Sequence, residues 1–460
     1  MPELSSIHFL FLLGTVALVL GVGLMAASSV RSAEGYSLGG RAAGIPLVAG
    51  SIAGTVIGGG ATVGTAQMAS LFGLSAWWFT LGSGIAFIIM GVFYARPLRK
   101  TGLETIPQYL ELNYGKRAGS LAAVVSSLGI FFSAVASSLP GIAILGAIFH
   151  LPDWGAALLL ILLVSAYVFF GGIRSAGVGG IFKMLVIWIT LCLAGYSAYD
   201  AIRTRPEVAV HLAAPQWFSM LGAGFDTTLA NLLSLVVGIL CTQTYIQSIF
   251  SAVDQKTAAA GAFTAALVTI PVGLPCAMIG MYMHAVHPEV TPILVLPTFL
   301  LTYPPAWLGG IAMGGIILSL IGSIAGLSLG IGTMVARDML HARMRHLSEK
   351  ALLNMTRVLV VTVMVAACGL AMLNRGSQVL FWNYLSMALR GGGVFLPLTL
   401  AVFFPRSVSP RWATASIVLS TLAAIAATLL HSSVKPLFIG LAVSFILLLV
   451  GHFAKERKQD

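Results

Sequence analysis

The feature that most constrains this chain is a series of long apolar runs that recurs from one end to the other. A helix needs about 20 apolar residues to cross the hydrocarbon core of a membrane. Thirteen runs of about that length occur, at residues 7–27, 45–71, 75–96, 118–149, 155–173, 176–200, 227–250, 257–285, 305–336, 352–373, 378–405, 411–431 and 435–453. Because lipid satisfies no backbone hydrogen bonds, we predict an all-α membrane protein with about 13 transmembrane helices.

Composition excludes the other broad classes. Only 8% of the 460 residues are charged, whereas an ordinary soluble domain has about 25%. A hydrophobic content of 58% likewise excludes a disordered chain. The net charge of +11 is scattered through short loops, so we expect membrane lipid around the chain, no nucleic-acid partner and no obligate protein partner.

The basic residues predict an orientation. If the N-terminus is outside, 19 of the 25 Lys and Arg residues fall on the cytoplasmic side. Two more lie inside spans, and the external side holds only four, which are Arg203, Arg205, Arg375 and Lys435. Because cytoplasmic loops are enriched in Lys and Arg, we predict an external N-terminus and a cytoplasmic C-terminus, in the inner membrane of a bacterium.

The second predicted span contains three consecutive glycines, Gly58, Gly59 and Gly60, within the stretch 54–64. Each costs about 1 kcal/mol relative to alanine in a helix interior. Close packing between helices would justify that cost, and so would an unwound stretch that lines a cavity. We favour the unwound stretch, and take the three glycines and Thr62 as candidate substrate-binding residues.

The seventh predicted span has an unusual polar group after Gly238. Thr242 and Gln243 are the first two residues of this group. Hydrogen bonds between helices or a belt at the membrane interface explain the group as well as the lining of a pathway does. We take these two residues as candidate substrate ligands.

The two unusual spans begin two successive five-helix blocks, 45–200 and 227–405. Five is an odd number, so the blocks have opposite topology, and interrupted helices at matching positions of inverted repeats point to the site of a secondary transporter. The predicted segments are an N-terminal extra helix and linker (1–44), the first repeat (45–200), an external loop (201–226), the second repeat (227–405), and two C-terminal extra helices with a basic tail (406–460).

Several short stretches carry a family resemblance. They include Leu38-Gly-Gly-Arg41, Gly64-Thr-Ala-Gln67, Glu104-Thr-Ile-Pro-Gln-Tyr-Leu-Glu-Leu-Asn-Tyr-Gly115, Gln243-Thr-Tyr-Ile-Gln247, Asp338 and Pro397. In this order and spacing the chain resembles the sodium/solute symporter family. The resemblance implies the LeuT-type five-plus-five inverted repeat, with one N-terminal and two C-terminal extra helices. It also implies import of a small organic solute, coupled to Na+, by alternating access.

The resemblance further implies a sodium site. Its backbone carbonyls fall on Gly54, Ile57 and Ser319, and its two hydroxyl positions fall on Gly322 and Ser323. Oxygen atoms of this kind suit a hard cation. The chain departs from the family pattern because Gly322 has no hydroxyl, the sixth span lacks the family's Asp, and Lys183 lies nearby.

Two cations lie within predicted spans. Lys183 either extends to the cytoplasmic interface or stands in for the sodium ion, which makes it a candidate coupling residue. Arg390 is roughly 20 Å from either end of its span at helical rise, and no carboxylate lies at that depth. Its partner is therefore either backbone carbonyls or the carboxylate of a cargo paired bidentately, and we take it as a candidate substrate ligand.

We therefore predict a secondary active transporter for a small-molecule solute, possessing a carboxylate if Arg390 binds it, with Na+ as the coupling ion and no organic cofactor. The alternatives are a proton-coupled or uncoupled carrier in which Lys183 replaces sodium, and a membrane sensor subunit that transports nothing. An enzyme is not expected, because no catalytic carboxylate pair, metal-ligand cluster or nucleophile–base pair lies at membrane depth.

Overall fold

The computed structural model describes residues 4–27, 32–168, 172–341, 348–430 and 432–456, and in these ranges the chain is helical without β-strands. Every predicted run coincides with a helix or an interrupted helix. These are Ser6–Ala27, Ile45–Val56 with Gly60–Gly64 and Thr65–Phe72, Trp78–Ile89 with Met90–Tyr94 and Ala95–Lys100, Lys116–Phe149, Asp153–Val168, Gly172–Thr204, Phe225–Leu240 with Gln243–Ser251, Gln255–Thr269 with Gly273–Val286, Ala306–Met334 with Val335–His341, Glu349–Leu373, Val379–Phe403, Pro410–Leu429 and Pro436–Glu456. We number them as spans one to thirteen in this order.

Shorter helices that the sequence did not predict lie between the spans. They are Ala33–Leu38, Ile106–Tyr114, Pro206–Ala209 and Val295–Thr302, with 3-10 turns at Gly39–Arg41, Gly73–Trp77, Val210–Leu212, Pro215–Phe218 and Pro292–Leu294, while a further turn at Ile270–Val272 joins the two halves of the eighth span. These runs are too short for the apolar-length criterion, which detects only segments near the thickness of a membrane.

The helices have the length and composition of membrane spans. Nine described helices are long and apolar enough to cross a membrane, or ten if Phe225–Leu240 and Gln243–Ser251, bent by 44°, form one span. The all-α multi-pass architecture is confirmed, whereas the count of thirteen stays a prediction. The predicted segment limits also stay predictions, and parts of 1–44 and 406–460 lie outside the described residues.

Both predicted interruptions are present. The first half of the second span ends at Val56, where Ile57 leaves helical geometry at φ −79° and ψ 78°. The first half of the seventh span ends at Leu240, and Thr242 is extended at φ −86° and ψ 113°. The two spans lie against each other, since the hydroxyl oxygens of Ser51 and Ser248 are 2.8 Å apart.

Glycines bring the second and sixth spans unusually close together. A Cβ atom on Gly54 would lie 3.0 Å from Cα of Gly180, and one on Gly50 would lie 2.6 Å from the carbonyl oxygen of Gly177. Small residues spaced three or four apart allow two backbones to approach in this way. As a result, a side chain one turn beyond Gly180 can reach the interruption of the second span.

A short backbone pairing joins the ends of the two interrupted spans. The amide of Ala43 donates to the carbonyl of Ser251 at 3.1 Å, and the amide of Val253 donates to the carbonyl of Ala43 at 3.0 Å. This pairing fastens the beginning of the second span to the end of the seventh, on the face that the basic residues predict to be cytoplasmic.

Candidate functional site

The ammonium of Lys183 lies in the interruption of the second span. The side chain is 1% exposed, and Nζ donates to the carbonyl oxygens of Gly54, Ile57 and Ser319, the last two at 3.2 Å. These are the three carbonyls that the family resemblance assigns to sodium. Lys183 therefore does not extend to the membrane surface, and its nitrogen occupies the predicted cation position.

The interruption explains why these carbonyls accept a cation. The last carbonyls of a helix have no partner within it and form the negative end of its dipole. Gly54 and Ile57 lie at the end of Ile45–Val56, so their oxygens are available at this point. Ile57 also accepts the Ser319 hydroxyl at 2.7 Å, which joins the second span to the ninth.

The missing hydroxyl at position 322 is explained by the lysine. A Cβ atom on Gly322 would lie 2.8 Å from Nζ of Lys183, closer than a side chain and an ammonium can pack. The hydroxyl of Ser323 lies 3.2 Å from that of Ser137. The two departures from the family pattern, at residues 183 and 322, are thus complementary in space.

The three consecutive glycines serve close packing. None of Gly58, Gly59 and Gly60 has a positive φ. A Cβ atom on Gly59 would lie 3.0 Å from Pro140, and one on Gly60 would lie 2.8 Å from both Asn383 and Phe79. Neighbouring helices fill the space beside these glycines, so their role as substrate ligands stays a prediction.

The predicted threonine ligands make local bonds. The hydroxyl of Thr62 donates to the carbonyl of Gly58 at 2.9 Å, and that of Thr242 donates to the carbonyl of Gly238 at 2.7 Å. Each hydroxyl thus bonds a carbonyl four residues earlier on its own span, which also accepts a backbone amide. Whether either also contacts a cargo stays a prediction.

Gln243 faces the loop before the helix Ile106–Tyr114. Its Oε1 accepts the amide of Ile106 at 2.9 Å, and its Nε2 donates to the carbonyl of Glu104 at 3.0 Å. Gln247, one turn later, donates to the carbonyl of Ser37 at 2.6 Å. Gln243 therefore helps to join the seventh span to the segments that close the predicted cytoplasmic side, and we call this group of contacts the closure. The role of Gln243 as a substrate ligand stays a prediction.

Charged residues complete this closure, and the sequence did not single them out. Glu104 Oε2 lies 3.2 Å from Nε of Arg337 and accepts the hydroxyl of Ser37 at 3.4 Å. Burial raises the pKa of Glu104, an effect that Arg337 and Arg41 partly offset. The stretch beginning at Glu104 belongs to the family pattern, and that pattern predicts no partner for its carboxylate.

Arg390 is buried at the interruption of the seventh span and is 1% exposed. Its Nε donates to the carbonyl of Gly238 at 3.1 Å, and Nη1 donates to the hydroxyls of Ser386 at 2.6 Å and Ser133 at 3.4 Å. Among the described residues Nη2 donates no hydrogen bond. The predicted carbonyl partner is present, and bidentate pairing with a cargo carboxylate would displace one of these bonds.

The two serines that bind Arg390 were missed from the sequence. Ser133 and Ser386 lie 2.7 Å apart, and Ser386 also donates to the carbonyl of Gly129. Ser386 precedes Arg390 by four residues, which is the spacing of neighbours on one helix face. That signal was available in the sequence, whereas the pairing with Ser133 depends on tertiary packing.

A cavity of about 530 Å³ opens on the predicted external face. Its polar lining includes Thr227, Asn231 and Ser234 on one face of the seventh span, with Lys435 and Gln378 near them. Ser234 precedes Gly238 by one helical turn, so the cavity lies above the interruption that Arg390 contacts.

Comparison with known proteins shows the family. The sequence profile described as the sodium:solute symporter family matches residues 36–418. The chain belongs to the sodium:solute symporter family. The human high affinity choline transporter 1 is 24% identical over 87% of this chain and 73% of its own length.

Two solved structures support the LeuT-type fold. A Na+-coupled sialic acid symporter, in a substrate-bound outward-open state, superposes with a TM-score of 0.83 at 18% identity, over 98% of this chain and 97% of its own. A nucleobase-cation-symport-1 family transporter in a closed conformation superposes with a TM-score of 0.60 at 13% identity, over 91% and 93% of the two chains.

Membership gives the activity in outline. The chain is an integral membrane secondary transporter of a small solute, in a family that couples transport to Na+, and it is not an enzyme. Among the described residues no group of three or more His, Cys, Asp or Glu could hold a metal ion.

Proposed function

We propose that the chain is a secondary transporter in which the ammonium of Lys183 takes the place of the coupling sodium ion. The single observation that supports this is the contact of Nζ with the carbonyls of Gly54, Ile57 and Ser319. An ammonium carries three donors, and here each has one acceptor. Na+ needs the same oxygens, so the ion and the ammonium exclude each other.

This arrangement changes how transport is driven. In the family scheme a sodium ion would link the second span to the ninth, and here Lys183 makes that link through Gly54 and Ser319. The link can then be released by loss of a proton from the lysine, since a buried ammonium is costly to maintain. We propose proton-coupled or uncoupled transport of the solute, without Na+ in this position.

Sodium coupling is the second candidate, and family membership favours it. It requires that Lys183 leave the carbonyls before Na+ enters. The two candidates therefore differ in whether Na+ binds while the lysine is in place.

Binding of radioactive ²²Na+ to purified protein tests this without knowledge of the solute. We expect no saturable binding to the wild type at millimolar Na+, and binding by Lys183→Ala, which vacates the three carbonyls. Lys256→Ala, which changes an exposed lysine, is the matched control and should behave as the wild type. Saturable binding by the wild type that equals the binding by Lys183→Ala would overturn the proposal in favour of sodium coupling.

We also propose that the cargo is a small organic solute with a carboxylate. Lys183 and Arg390 place two cations near the interruptions, and the one buried carboxylate among the described residues, Asp338, lies at the far end of the ninth span. A cationic cargo such as choline, which names the curated relatives, would face repulsion without a counter-charge. Nη2 of Arg390 remains available for one carboxylate oxygen.

A thermal-shift panel tests the cargo class. Monocarboxylates, amino acids and sugars are compared with choline on the purified protein. We expect carboxylate compounds to raise the melting temperature of the wild type and choline to leave it unchanged. Stabilisation by choline alone would overturn this part of the proposal.

The orientation is proposed with the N-terminus outside and the C-terminus in the cytoplasm of a bacterium. The cavity near Lys435 would then open outward and the closure at Glu104 would face inward. A cysteine introduced at exposed Ser432 should react with a membrane-impermeant maleimide added to intact cells, and one at exposed Lys256 should not. The reverse pattern would invert the orientation.

A further inference from the structure

Lys183 and Arg390 occupy corresponding places in the two inverted repeats. Lys183 lies on the sixth span (Gly172–Thr204), the fifth helix of the first repeat. Arg390 lies on the eleventh span (Val379–Phe403), the fifth helix of the second repeat. Each is fully buried, and each contacts the interruption in the first helix of its own repeat.

The remaining partners follow the same relation. Lys183 contacts Ser319 on the ninth span, which is the third helix of the second repeat. Arg390 contacts Ser133 on the fourth span, which is the third helix of the first repeat. Each cation therefore joins the first helix of its own repeat to the third helix of the other one.

We propose that the interruption of the seventh span is a second cation site, the repeat-related counterpart of the sodium position, and that the guanidinium of Arg390 fills it. The oxygens of the site are the carbonyl of Gly238 and the hydroxyls of Ser133 and Ser386. This site is distinct from the sodium position at Lys183 and does not depend on which ion drives transport, although its Arg390 is also the residue that would bind a cargo carboxylate in the proposed function.

The electrostatics of the helix explain why a cation belongs there. Gly238 lies in the last turn of Phe225–Leu240, where unpaired carbonyls and the helix dipole favour positive charge. The carbonyl of Gly238 also accepts the amide of Cys241 at 3.3 Å and the hydroxyl of Thr242 at 2.7 Å, so the guanidinium is its one charged partner among the described residues. Without the guanidinium, these oxygens would be buried with no cation to balance them.

The shape of the oxygen set matches a guanidinium. A guanidinium is planar, and its N–H groups can donate to several acceptors along one edge. Here Nε donates to the carbonyl of Gly238, and Nη1 donates to the hydroxyls of Ser133 and Ser386. Ser386 holds its place by donating to Gly129. The site is thus built by three spans around a group larger and flatter than Na+.

Chemical rescue tests the filled site. Arg390→Ala should lower the melting temperature of the purified protein, and free guanidinium ion at low millimolar concentration should restore most of the loss. Arg411→Ala, which changes an exposed arginine, is the control and should show no restoration. Sodium chloride at the same concentration controls for ionic strength. Equal responses of the two variants to guanidinium would overturn the proposal.

A second pair of variants keeps the test decisive if Arg390→Ala does not fold. Arg390→Lys retains the charge, whereas Arg390→Gln has similar length without it. We expect the Lys variant to melt well above the Gln variant, and equal melting temperatures would overturn a cation site. Because the readout is guanidinium here and ²²Na+ at Lys183, failure of one proposal leaves the other distinguishable.

Discussion

Each of the two interruptions of this transporter binds one positively charged side chain, but the oxygen atoms that bind it differ. At the second span, Lys183 is bound only by backbone carbonyls. At the seventh, Arg390 has one carbonyl and two serine hydroxyls. The difference follows the chemistry of the cations, because an ammonium behaves as a compact point charge and a guanidinium as a planar fork.

The surroundings differ as well. The first interruption is packed tightly by glycines, and even the space at Gly322 is limited by the ammonium. The second lies below an open cavity, one turn from Ser234. We infer that the first interruption tolerates changes in side-chain size and charge less well than the second. Substitutions there should therefore have the larger effects on thermal stability.

The largest effect is expected for Lys183→Met. Hydrogen bonds to a charged group are each worth about 1.5–3 kcal/mol, and three carbonyls would lose their donor together. We expect a loss of roughly 3 kcal/mol or more in thermal unfolding without Na+. A change below about 0.5 kcal/mol, within the range of a surface substitution, would show that the first interruption does not need its cation.

Gly322→Ala should have the next largest effect. The added methyl would crowd Nζ of Lys183, and overpacking of this kind costs about 1–3 kcal/mol. Gly369→Ala, in a helix with open space around it, is the matched control and should be neutral or stabilising. In the Lys183→Ala background the penalty at position 322 should disappear, and persistence of the full penalty there would contradict the contact.

Ser386→Ala should have a smaller effect at the second interruption. Loss of one neutral partner from a bonded group costs about 1 kcal/mol, and more when the donor is charged. Ser323→Ala, whose hydroxyl pairs with the neutral hydroxyl of Ser137, should cost less. Thermal unfolding of the two variants checks this order, and a larger loss for Ser323→Ala would show that the bond to the charged Arg390 does not set it.

The smallest effect concerns pH and lies outside both interruptions. Burial raises the pKa of Glu104 above 4.5. The folded chain thus holds that proton more tightly than the unfolded chain, and this contribution to stability is lost as pH rises through the folded pKa. The melting temperature of Glu104→Gln should fall less than that of the wild type between pH 4.5 and 7.5. The melting temperature of Ser386→Ala should change with pH as the wild type does. Parallel profiles for Glu104→Gln and the wild type would exclude this contribution.

The interruptions could be predicted because their signal is local. Three glycines in a row and a polar group after Gly238 weaken a helix whatever surrounds them. The sodium position at Gly54, Ile57 and Ser319 came from the family pattern, and Lys183 at that position came from a departure in the same pattern. Neighbouring residues thus predict the interruptions, whereas the family pattern predicts the sodium position.

Side-chain partners could not be predicted in the same way. Gln243 reaches the loop at Glu104, 139 residues away, and Arg390 reaches Ser133, 257 residues away. Such contacts depend on the rotation of each helix about its axis, which hydrophobicity hardly constrains when all faces are apolar. For this reason the sequence predicts that the glycines at 58–60 line a cavity, whereas in the structure side chains of neighbouring helices occupy the space beside them.

The pairing of Ala43 with Ser251 and Val253 has a mechanical consequence. Two main-chain hydrogen bonds fix the register of this connection, so we expect the inner ends of the two interrupted spans to move together when the Glu104 side opens. Ile57 and Thr242, where the helical backbone stops, are the positions at which each span can bend.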